Sequence, residues 1–237
     1  MTIYVFDMDG TLTPARLPMT EDFAEKFYEW QKTHISYIAT GSDYKKVCEQ
    51  LPTHIINAFT GVYCSMGNVL MRNGNLVKKN EFVEPEGLIQ DLEDFRKNTK
   101  YPGSLFNNFI ERRVGMINFS VLGRDCPYEA RQHYNAWDNI ENERLQIQEI
   151  LQKKYPQLEI SVGGSISIDI TPQGHGKGQI ATQLREKYLD QEIVFLGDRT
   201  FPGGNDYELA AELLKMTNTQ VVQVDGPQNV LEFLYLI

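Results

Sequence analysis

Short apolar runs alternate with stretches of helical spacing in the first third of the chain. Thr2–Phe6 is β-branched and aromatic and is followed by Asp7, which predicts a short strand buried on both faces. The pattern after it predicts, in order, a helix that follows Thr20 and carries Phe23, Phe27 and Trp30, a strand at Ile35–Ala39, a helix from Ser42 or Asp43 to Leu51, and a strand at His54–Phe59. Strands that alternate with helices in this way predict a parallel sheet.

In the middle of the chain the pattern of apolar and polar residues changes. A hairpin turn is predicted at Arg72–Asn75, and a helix is predicted from Pro85 to about Lys97. Phe109–Leu122 and Leu158–Ile170 alternate apolar and polar residues, which is typical of antiparallel strands with one solvated face. Helices are predicted between them, from about Pro127 to Tyr155. This segment therefore predicts an α+β insert.

The α/β alternation resumes at Gly178. The pattern predicts a helix to Tyr188, a strand at Ile193–Leu196, a helix at Asp206–Leu214, a strand at Gln220–Val224 and a last helix at Pro227–Leu236. We therefore expect an α/β protein whose core consists of residues 1–80 and 175–237, with residues 81–174 inserted as a second domain. These boundaries are inferred only from the change between the α/β alternation and the α+β pattern.

Charge and cysteine usage narrow the possible partners and compartments. The 237 residues carry a net charge of -9, which argues against nucleic acid as a partner because such binders need a basic surface. The three cysteines have no CxxC spacing, so neither a disulfide framework nor a zinc site is predicted. No signal peptide, transit peptide or apolar run long enough for a membrane span is recognisable. We expect a soluble, cytoplasmic protein with no membrane partner.

The segment with the clearest chemistry follows the first strand. Asp7 and Asp9, two positions apart, should point to the same side of the carboxyl edge of the sheet, where open α/β sheets place their ligands. A divalent cation between the two carboxylates would relieve their repulsion and prepare them for a phosphate-bearing substrate. The alternative is a polar turn whose acidic side chains are merely solvated.

Three later segments add polar groups at comparable positions. Thr40-Gly41-Ser42 follows a strand and opens a helix, so its hydroxyls and amides could hold a phosphoryl oxygen, unless it is a plain helix cap. Lys177 opens the helix that re-enters the core and could neutralise a phosphate, unless it is a surface lysine. Asp198 and Asp206 follow another buried strand and bring two more carboxylates to the same edge.

This set, in this order, resembles the haloacid dehalogenase (HAD) superfamily of phosphotransferases. The resemblance implies a Rossmann-like core with a parallel sheet and an α+β type-2 (C2b) cap domain inserted after the third strand. It implies that Asp7 is the nucleophile, that Asp9 is the general acid/base and that Lys177 steadies the phosphoaspartate. It also implies a Mg²⁺ ion held by Asp7, the backbone carbonyl of Asp9 and Asp198, with Asp206 nearby.

Within that superfamily the motifs resemble those of the eukaryotic-type phosphomannomutases. The matching segments are DGTLTPAR at Asp9–Arg16, GSDxxKVxEQL at Gly41–Leu51, FIExRxGMxN at Phe109–Asn118, GRxC at Gly123–Cys126, GGxISxD at Gly163–Asp169 and GDxTxPGGND at Gly197–Asp206. The resemblance places Arg113, Arg124 and Arg131 on the cap arginines that hold the distal phosphate. It places Arg16, Asn118, Ser167 and Asp169 on sugar or phosphate contacts.

Charge agrees with that assignment, because arginine forks bind phosphate bidentately and this acidic chain concentrates arginines within residues 112–131. The alternative is that these arginines pair with Glu111, Asp125 and Glu129 as ordinary ion pairs.

The chain departs from the family pattern at three places. It has Ser65-Met66-Gly67-Asn68 where the family usually has Glu-Asn-Gly, Thr40 where it has Gly, and His175-Gly176-Lys177 where it has Trp-Asp-Lys.

Three functions remain open from the sequence. The first is a Mg²⁺-dependent mutase that interconverts mannose 6-phosphate and mannose 1-phosphate; the resemblance implies a hexose 1,6-bisphosphate activator, a homodimer formed through the cap and a place in the supply of GDP-mannose. The second is a sugar-phosphate phosphatase with the same Asp7 nucleophile, in which water accepts the phosphoryl group. The third is a catalytically silent sugar-phosphate binding protein. In each case the partner is a small hexose phosphate.

Overall fold

The chain forms two compact units in the computed structural model, which describes residues 1–236, with side chains through Tyr235. Unit 1 consists of Met1–Asn80, His175–Pro202 and the chain from Asp206 onward. Unit 2 consists of Glu81–Gly174 together with Gly203–Asn205, a short loop that the sequence pattern assigned to the core. No helix within the described residues is long and apolar enough to cross a membrane.

The helices and strands follow one another along the chain in the order that the pattern predicts, with one exception given below. The strands are β1 (Thr2–Phe6), β2 (Ile35–Ala39), β3 (Gly61–Cys64), β4 (Val69–Arg72), β5 (Asn75–Lys79), β6 (Ile110–Arg113), β7 (Met116–Phe119), β8 (Leu158–Gly163), β9 (Ser167–Pro172), β10 (Glu192–Gly197) and β11 (Thr219–Gln223). The helices are α1 (Glu21–Gln31), α2 (Tyr44–Gln50), α3 (Thr53–Ala58), α4 (Leu88–Lys97), α5 (Tyr128–Glu141), α6 (Glu143–Lys154), α7 (Gln179–Lys187), α8 (Tyr207–Leu214) and α9 (Pro227–Leu236).

Each unit is built on its own sheet. In unit 1 the strand order is β11-β10-β1-β2-β3-β4-β5, with parallel pairs from β11 to β3 and antiparallel pairs from β3 to β5. In unit 2 the order is β6-β7-β9-β8, and all three pairings are antiparallel. The mixed α/β class with a parallel sheet and a separate α+β unit is therefore confirmed.

Successive side chains of β1 explain why this strand is buried on both faces. Ile3 and Val5 pack in a cluster that includes residues of α7 and α8, while Tyr4 and Phe6 make edge-to-face contacts with Trp30 of α1 on the other side. Because side chains alternate between the faces of a strand, a continuous apolar run is what a two-sided core requires. The core of the parallel sheet is centred on β1.

One predicted strand is wrong. His54–Phe59 lies mostly in helix α3, and the third strand begins only at Gly61. The buried positions are Ile55, Ile56 and Phe59, a spacing that fits one face of a helix and not the alternation of a strand. Pro52 stands directly before this helix, where its missing N–H costs no intrahelical hydrogen bond. Phe59 packs against Phe27 of α1, which fixes the short helix against the sheet.

A buried ion pair organises one end of unit 2. Arg144 of α6 donates through Nε to Asp138 of α5 at 2.7 Å, and both side chains are almost fully buried. Through Nη1 the same guanidinium donates to the carbonyl oxygens of Gly163, Gly164 and Ser167. Arg144 therefore holds the turn between β8 and β9 in place.

We predict that Arg144→Met lowers the free energy of unfolding by about 3–5 kcal/mol, because it leaves the Asp138 charge buried without its partner. Lys215→Met, which breaks the exposed pair with Glu212, is the matched control and should cost less than about 1 kcal/mol. Urea unfolding monitored by tryptophan fluorescence measures both, since Trp137 lies in unit 2 with Arg144 and Trp30 lies in unit 1 with Lys215. Equal losses in the two variants would mean that the buried pair stabilises no more than a surface one.

Candidate active site

The parallel sheet of unit 1 brings the predicted catalytic segments to one edge. Asp7 follows β1, Thr40 follows β2 and Asp198 follows β10. These three strands are parallel neighbours, so their carboxyl ends lie together at the edge where open α/β sheets bind ligands. The backbone N–H of Asp7 donates to the carbonyl of Leu196 at 2.9 Å, which joins the ends of β1 and β10.

Lys177 lies between two carboxylates at this edge. Its Nζ donates to Asp7 Oδ1 at 2.7 Å and to Asp206 Oδ1, and all three side chains are buried. Burial by itself would lower the pKa of Lys177, but the charges of Asp206 and Asp7 raise it above the usual lysine value. The lysine is therefore a fixed positive charge beside the carboxylate of Asp7.

Asp7, Asp198 and Asp206 form the group that can hold a metal ion, since each offers an oxygen within 4.8 Å of the others. Asp7 Oδ2 and Asp198 Oδ1 are buried and have no hydrogen-bond partner within the described residues. Burial, followed by the charge of Asp206, raises the pKa of Asp7 well above its usual range and that of Asp198 to about 6. Carboxylate oxygens are the ligands that Mg²⁺ prefers, so the donor set fits this ion.

Glycines make room for these carboxylates. Gly10 has φ +91°, and a Cβ at this position would meet the carboxylate of Asp198. A Cβ at Gly197 would stand 2.6 Å from Asp206 Oδ2. Only glycine allows the chain to approach the acidic side chains this closely.

Asp9 is held apart from the metal-binding group by its own hydrogen bonds. Its Oδ1 accepts from the backbone N–H of Arg16 at 2.7 Å and from Gln50 Nε2 at 2.9 Å, and its Oδ2 accepts from Ser42 Oγ at 3.4 Å. The Arg16 side chain, predicted to contact substrate, is exposed, while its backbone adopts φ 64°. Sequence reasoning gave Gln50 no role, although it belongs to the GSDxxKVxEQL motif.

The Thr40–Ser42 turn is joined to Asp9 by a hydrogen bond. Thr40 is buried, and its hydroxyl accepts from the backbone N–H of Ser42 at 3.1 Å. Asp43, not Ser42, caps α2, because its carboxylate accepts from the N–H of Lys46 at 2.8 Å. Because Asp43 caps the helix, the hydroxyl of Ser42 can donate to Asp9 instead.

In unit 2 the strand register gathers the predicted substrate-binding residues. Glu111 pairs with Asn118 across β6 and β7, and Asn118 pairs with Asp169 across β7 and β9, so the three side chains form a row on one face. Arg113 and Ser167 lie two positions from Glu111 and Asp169, which places them on the same face. Asn118 donates to Asp169 Oδ1 at 2.6 Å.

The arginines complete this cluster. Arg124 donates through Nε to Glu111 at 2.5 Å and through Nη1 to Asn118 Oδ1 and to Ser167 Oγ, and Arg113 also pairs with Glu111, at 2.8 Å. Arg131 of α5 donates through Nη2 to the carbonyl of Arg124 at 2.9 Å.

Part of the alternative interpretation therefore holds: Glu111 pairs with two of the three arginines. Arg131 adds a further buried group to the cluster, since its Nη1 has no hydrogen-bond partner among the described atoms. Burial, with the nearby charge of Arg124, lowers the pKa of Arg131 below its usual value, as expected of a cation that lacks a compensating anion. Arg112 points to the opposite face of β6, is exposed and pairs with Glu84.

Comparison with known proteins gives the family and the fold. The sequence profile of the family described as eukaryotic phosphomannomutase matches residues 22–235. A phosphomannomutase of Dendrobium officinale is 35% identical over 218 residues, which cover 87% of this chain and 84% of that protein.

Two solved structures resemble this chain over almost all of its length. The IMP-bound, N-terminally truncated IMP-nucleotidase of Plasmodium falciparum has a TM-score of 0.65 at 16% identity, covering 99% of this chain and 67% of that one. The sucrose-phosphatase of Synechocystis has a TM-score of 0.59 at 14% identity, covering 99% of this chain and 96% of that one. At these identities the likeness concerns the fold alone.

We predict that Mg²⁺ raises the melting temperature more at about pH 7.5 than at about pH 5, because the ligands must lose their protons before the ion binds. The pKa of Asp198 rises from 3.8 to about 6, so the native metal-free protein binds more protons than the unfolded chain between these values, and its stability falls as pH rises through them. Asp198→Asn should abolish the Mg²⁺ effect, and Asp190→Asn, at an exposed site, should leave it intact. A Mg²⁺ effect that survives in Asp198→Asn would remove this carboxylate from the ligand set.

Proposed function

The chain belongs to the eukaryotic phosphomannomutase family, and on that premise we propose that it interconverts mannose 6-phosphate and mannose 1-phosphate through a phosphoaspartate at Asp7. The observation that carries this proposal is the arginine cluster of unit 2. A mutase works through a bisphosphorylated sugar, so it must bind one phosphate while it transfers the other. A simple phosphatase acting on a monophosphate has no such need.

Asp7 acts as the nucleophile. One of its carboxylate oxygens attacks phosphorus, the bond from phosphorus to the sugar oxygen breaks, and the phosphoryl group passes to the aspartate. Asp7, Asp198 and the backbone carbonyl of Asp9, with Asp206 nearby, would hold a Mg²⁺ ion, which would neutralise charge on the phosphoryl oxygens. In the other half-reaction the phosphoryl group on Asp7 passes to the free hydroxyl of a bound mannose monophosphate, which forms the bisphosphorylated sugar. Asp7 then takes the phosphoryl group from the other position, so that the isomeric monophosphate is released and the phosphoaspartate is formed again.

Lys177 compensates charge during this transfer. It contacts Asp7 directly at 2.7 Å, and its ammonium group is held in place by Asp206. Because the site is buried, a fixed charge there stabilises the transition state more strongly than it would in water. The hydroxyl of Thr40 and the turn that it opens offer hydrogen bonds to the transferred group.

Asp9 moves the proton. As an acid it protonates the sugar oxygen that leaves phosphorus, and as a base it removes the proton from the sugar hydroxyl that attacks the phosphoaspartate. Gln50 and the N–H of Arg16 both donate to Oδ1, which orients the carboxyl group, and Ser42 reaches Oδ2. The proton is therefore carried at Oδ2, the oxygen with the fewer fixed donors.

The unit 2 cluster binds the phosphate that is not transferred. Arg131 offers an unused buried N–H group, and Arg124 carries the planar fork that suits a phosphate. Asp169, whose pKa is raised by burial against the opposing charge of Arg113, and Asn118 offer hydrogen bonds to sugar hydroxyls.

Three further features complete the proposal. A hexose 1,6-bisphosphate activates the enzyme by phosphorylating Asp7. Two copies pair through unit 2, where Tyr128, Ile140 and Ile150 are exposed apolar side chains. The enzyme works in the cytoplasm on behalf of GDP-mannose synthesis, in a reducing compartment that suits its free cysteine thiols.

The proposal predicts that mannose 1-phosphate, given with Mg²⁺ and a trace of hexose 1,6-bisphosphate, is converted to mannose 6-phosphate with little release of free phosphate. Chromatography of the sugar phosphates and a phosphate assay on the same samples measure the two products. Asp7→Asn keeps the shape of the side chain but loses the nucleophile, so it should give neither product.

Free phosphate as the main product would identify the enzyme as a sugar-phosphate phosphatase. Thr40 is the residue of this chain that favours that outcome, because it resembles the hydroxyl motif of related sugar phosphatases. Failure to turn over any phosphate ester would leave a sugar-phosphate binding protein.

The cap arginines should matter more for the mutase reaction than for a small ester. We predict that Arg124→Ala and Arg131→Ala lower mutase turnover by about ten- to a hundredfold, the equivalent of about 1.5–3 kcal/mol for one charge-assisted contact. Hydrolysis of acetyl phosphate, which has no second phosphate to bind, should change far less. Lysine at either position should restore activity only in part, because it lacks the bidentate fork.

Arg112→Ala is the matched control, since Arg112 lies on the same strand as Arg113 but on its exposed face, paired with Glu84. Both reactions should be unaffected in this variant. Equal losses on mannose 1-phosphate and acetyl phosphate in Arg124→Ala and Arg131→Ala would contradict a role in holding the distal phosphate.

A further inference from the structure

Three side-chain amides, those of Asn68, Asn80 and Gln179, form a hydrogen-bonded network inside unit 1. Asn80 Nδ2 donates to Asn68 Oδ1 at 3.0 Å and to Gln179 Oε1 at 3.1 Å, and Gln179 Nε2 donates to Asn68 Oδ1 at 3.3 Å. Asn68 is fully buried. We call these three residues the amide network.

The network binds the segment that leads into Lys177. Asn68 Nδ2 and Gln179 Nε2 both donate to the carbonyl oxygen of His175, at 3.0 and 2.8 Å. Lys177 stands between His175 and Gln179 in the chain, so the network fixes the backbone on both sides of it. Because the lysine side chain itself ends between buried carboxylates, a shift of this backbone moves a charge within the reaction centre.

The same amides bind the loop after β3. Gln179 Nε2 donates to the carbonyl of Met66 at 3.0 Å, and Asn68 Nδ2 donates to the carbonyl of Ser65 at 2.8 Å. This loop has three consecutive positive φ angles, 48° at Ser65, 61° at Met66 and 89° at Gly67. Such a backbone persists only where its surroundings hold it, and it is most often found at functional sites.

The loop in turn supports the Thr40–Ser42 turn. The N–H of Ser65 donates to the carbonyl of Ser42 at 2.9 Å, and the N–H of Met66 donates to the carbonyl of Thr40 at 3.1 Å. On its other side the loop packs against α7 so closely that a Cβ at Gly67 would stand 2.7 Å from Ile180 Cγ1. The loop is thus enclosed between the turn and the helix that carries Gln179.

Two segments in which this chain departs from the family motifs, 65–68 and 175–177, are therefore joined to each other through Asn68 and Gln179. Gln179, which belongs to neither segment, donates to a carbonyl of each, and so does Asn68. The carbonyl oxygens of Met66 and His175 each need a hydrogen-bond donor. If the amide that donates to them is removed, water cannot take its place unless the surrounding backbone rearranges.

We propose that Gln179, supported by Asn68, is a positioning residue for phosphoryl transfer: through the carbonyls of His175 and Met66 it sets Lys177 and the Thr40–Ser42 turn in one arrangement. The proposal rests on the proposed function, because it needs Lys177 to act in the transfer to Asp7. It assigns no contact between Gln179 and the substrate.

The test is Gln179→Met, which keeps the length of the side chain and removes both donors. With acetyl phosphate and Mg²⁺ we expect kcat to fall by about tenfold or more while KM stays within about threefold, since the reacting groups are displaced and substrate contacts are not. Labelling of Lys177 by an amine-reactive reagent, quantified by peptide mass spectrometry, should rise by about tenfold as the buried lysine becomes accessible.

Gln183→Met is the matched control, because Gln183 lies on the next turn of α7 and its Nε2 donates only to Gln179 Oε1 among the described residues. It should change neither quantity by more than about twofold. Should Gln179→Met fail to fold, Asn68→Ser removes the second donor to His175 and is expected to act in the same direction.

Equal kcat values and equal Lys177 labelling in Gln179→Met and Gln183→Met would overturn the proposal. A fall in kcat with no increase in labelling would also overturn it, because Lys177 would then have kept its place. The proposed function fails separately: a wild-type protein that hydrolyses acetyl phosphate but makes no mannose 6-phosphate refutes the mutase and leaves this comparison valid. The labelling comparison does not depend on turnover at all.

Discussion

A buried ammonium group between two buried carboxylates is the interaction on which the active site depends. The ammonium group of Lys177 is buried in unit 1, where the carboxylates of Asp7 and Asp206 compensate its charge. Together with Asp198 the group holds three carboxylates against one ammonium, which leaves two negative charges when all are ionised. A divalent cation has the charge that completes this balance.

This charge balance accounts for the raised carboxyl pKa values of the site and for the glycines beside it. The pKa values of Asp7 and Asp198 are raised because both carboxyl groups are buried close to another carboxylate, that of Asp206. Glycine at positions 10 and 197 lets the backbone come close enough for the acidic side chains to converge. Unit 2 has the opposite imbalance, since Arg113 and Arg124 share Glu111 while a buried N–H of Arg131 has no acceptor among the described residues. On the proposed function, unit 1 binds the cation and unit 2 binds the anion.

The sequence predicted those parts of the fold and site that depend on local pattern. Strands β1 and β2 and helix α9 have the predicted limits because apolar runs and proline mark them directly. The predicted acidic residues and Lys177 come together because the order of parallel strands determines where strand ends meet. His54–Phe59 was misread because a short apolar run does not distinguish a strand from a buried helix. Gln50 and the amide network received no role, because their partners are distant in sequence and are selected by packing rather than by spacing.

The central claim is that Asp7 carries the phosphoryl group between the two positions of the sugar. The most direct measurement is to mix the enzyme with hexose 1,6-bisphosphate and Mg²⁺, quench in acid within a single turnover, and locate the modified residue by peptide mass spectrometry. The account predicts a phosphorylated peptide modified at Asp7, which loses the label when mannose 1-phosphate is added before the quench. A phosphoryl group on Asp9, on Ser42 or on any other residue, or substrate conversion without a phosphorylated enzyme, would contradict it.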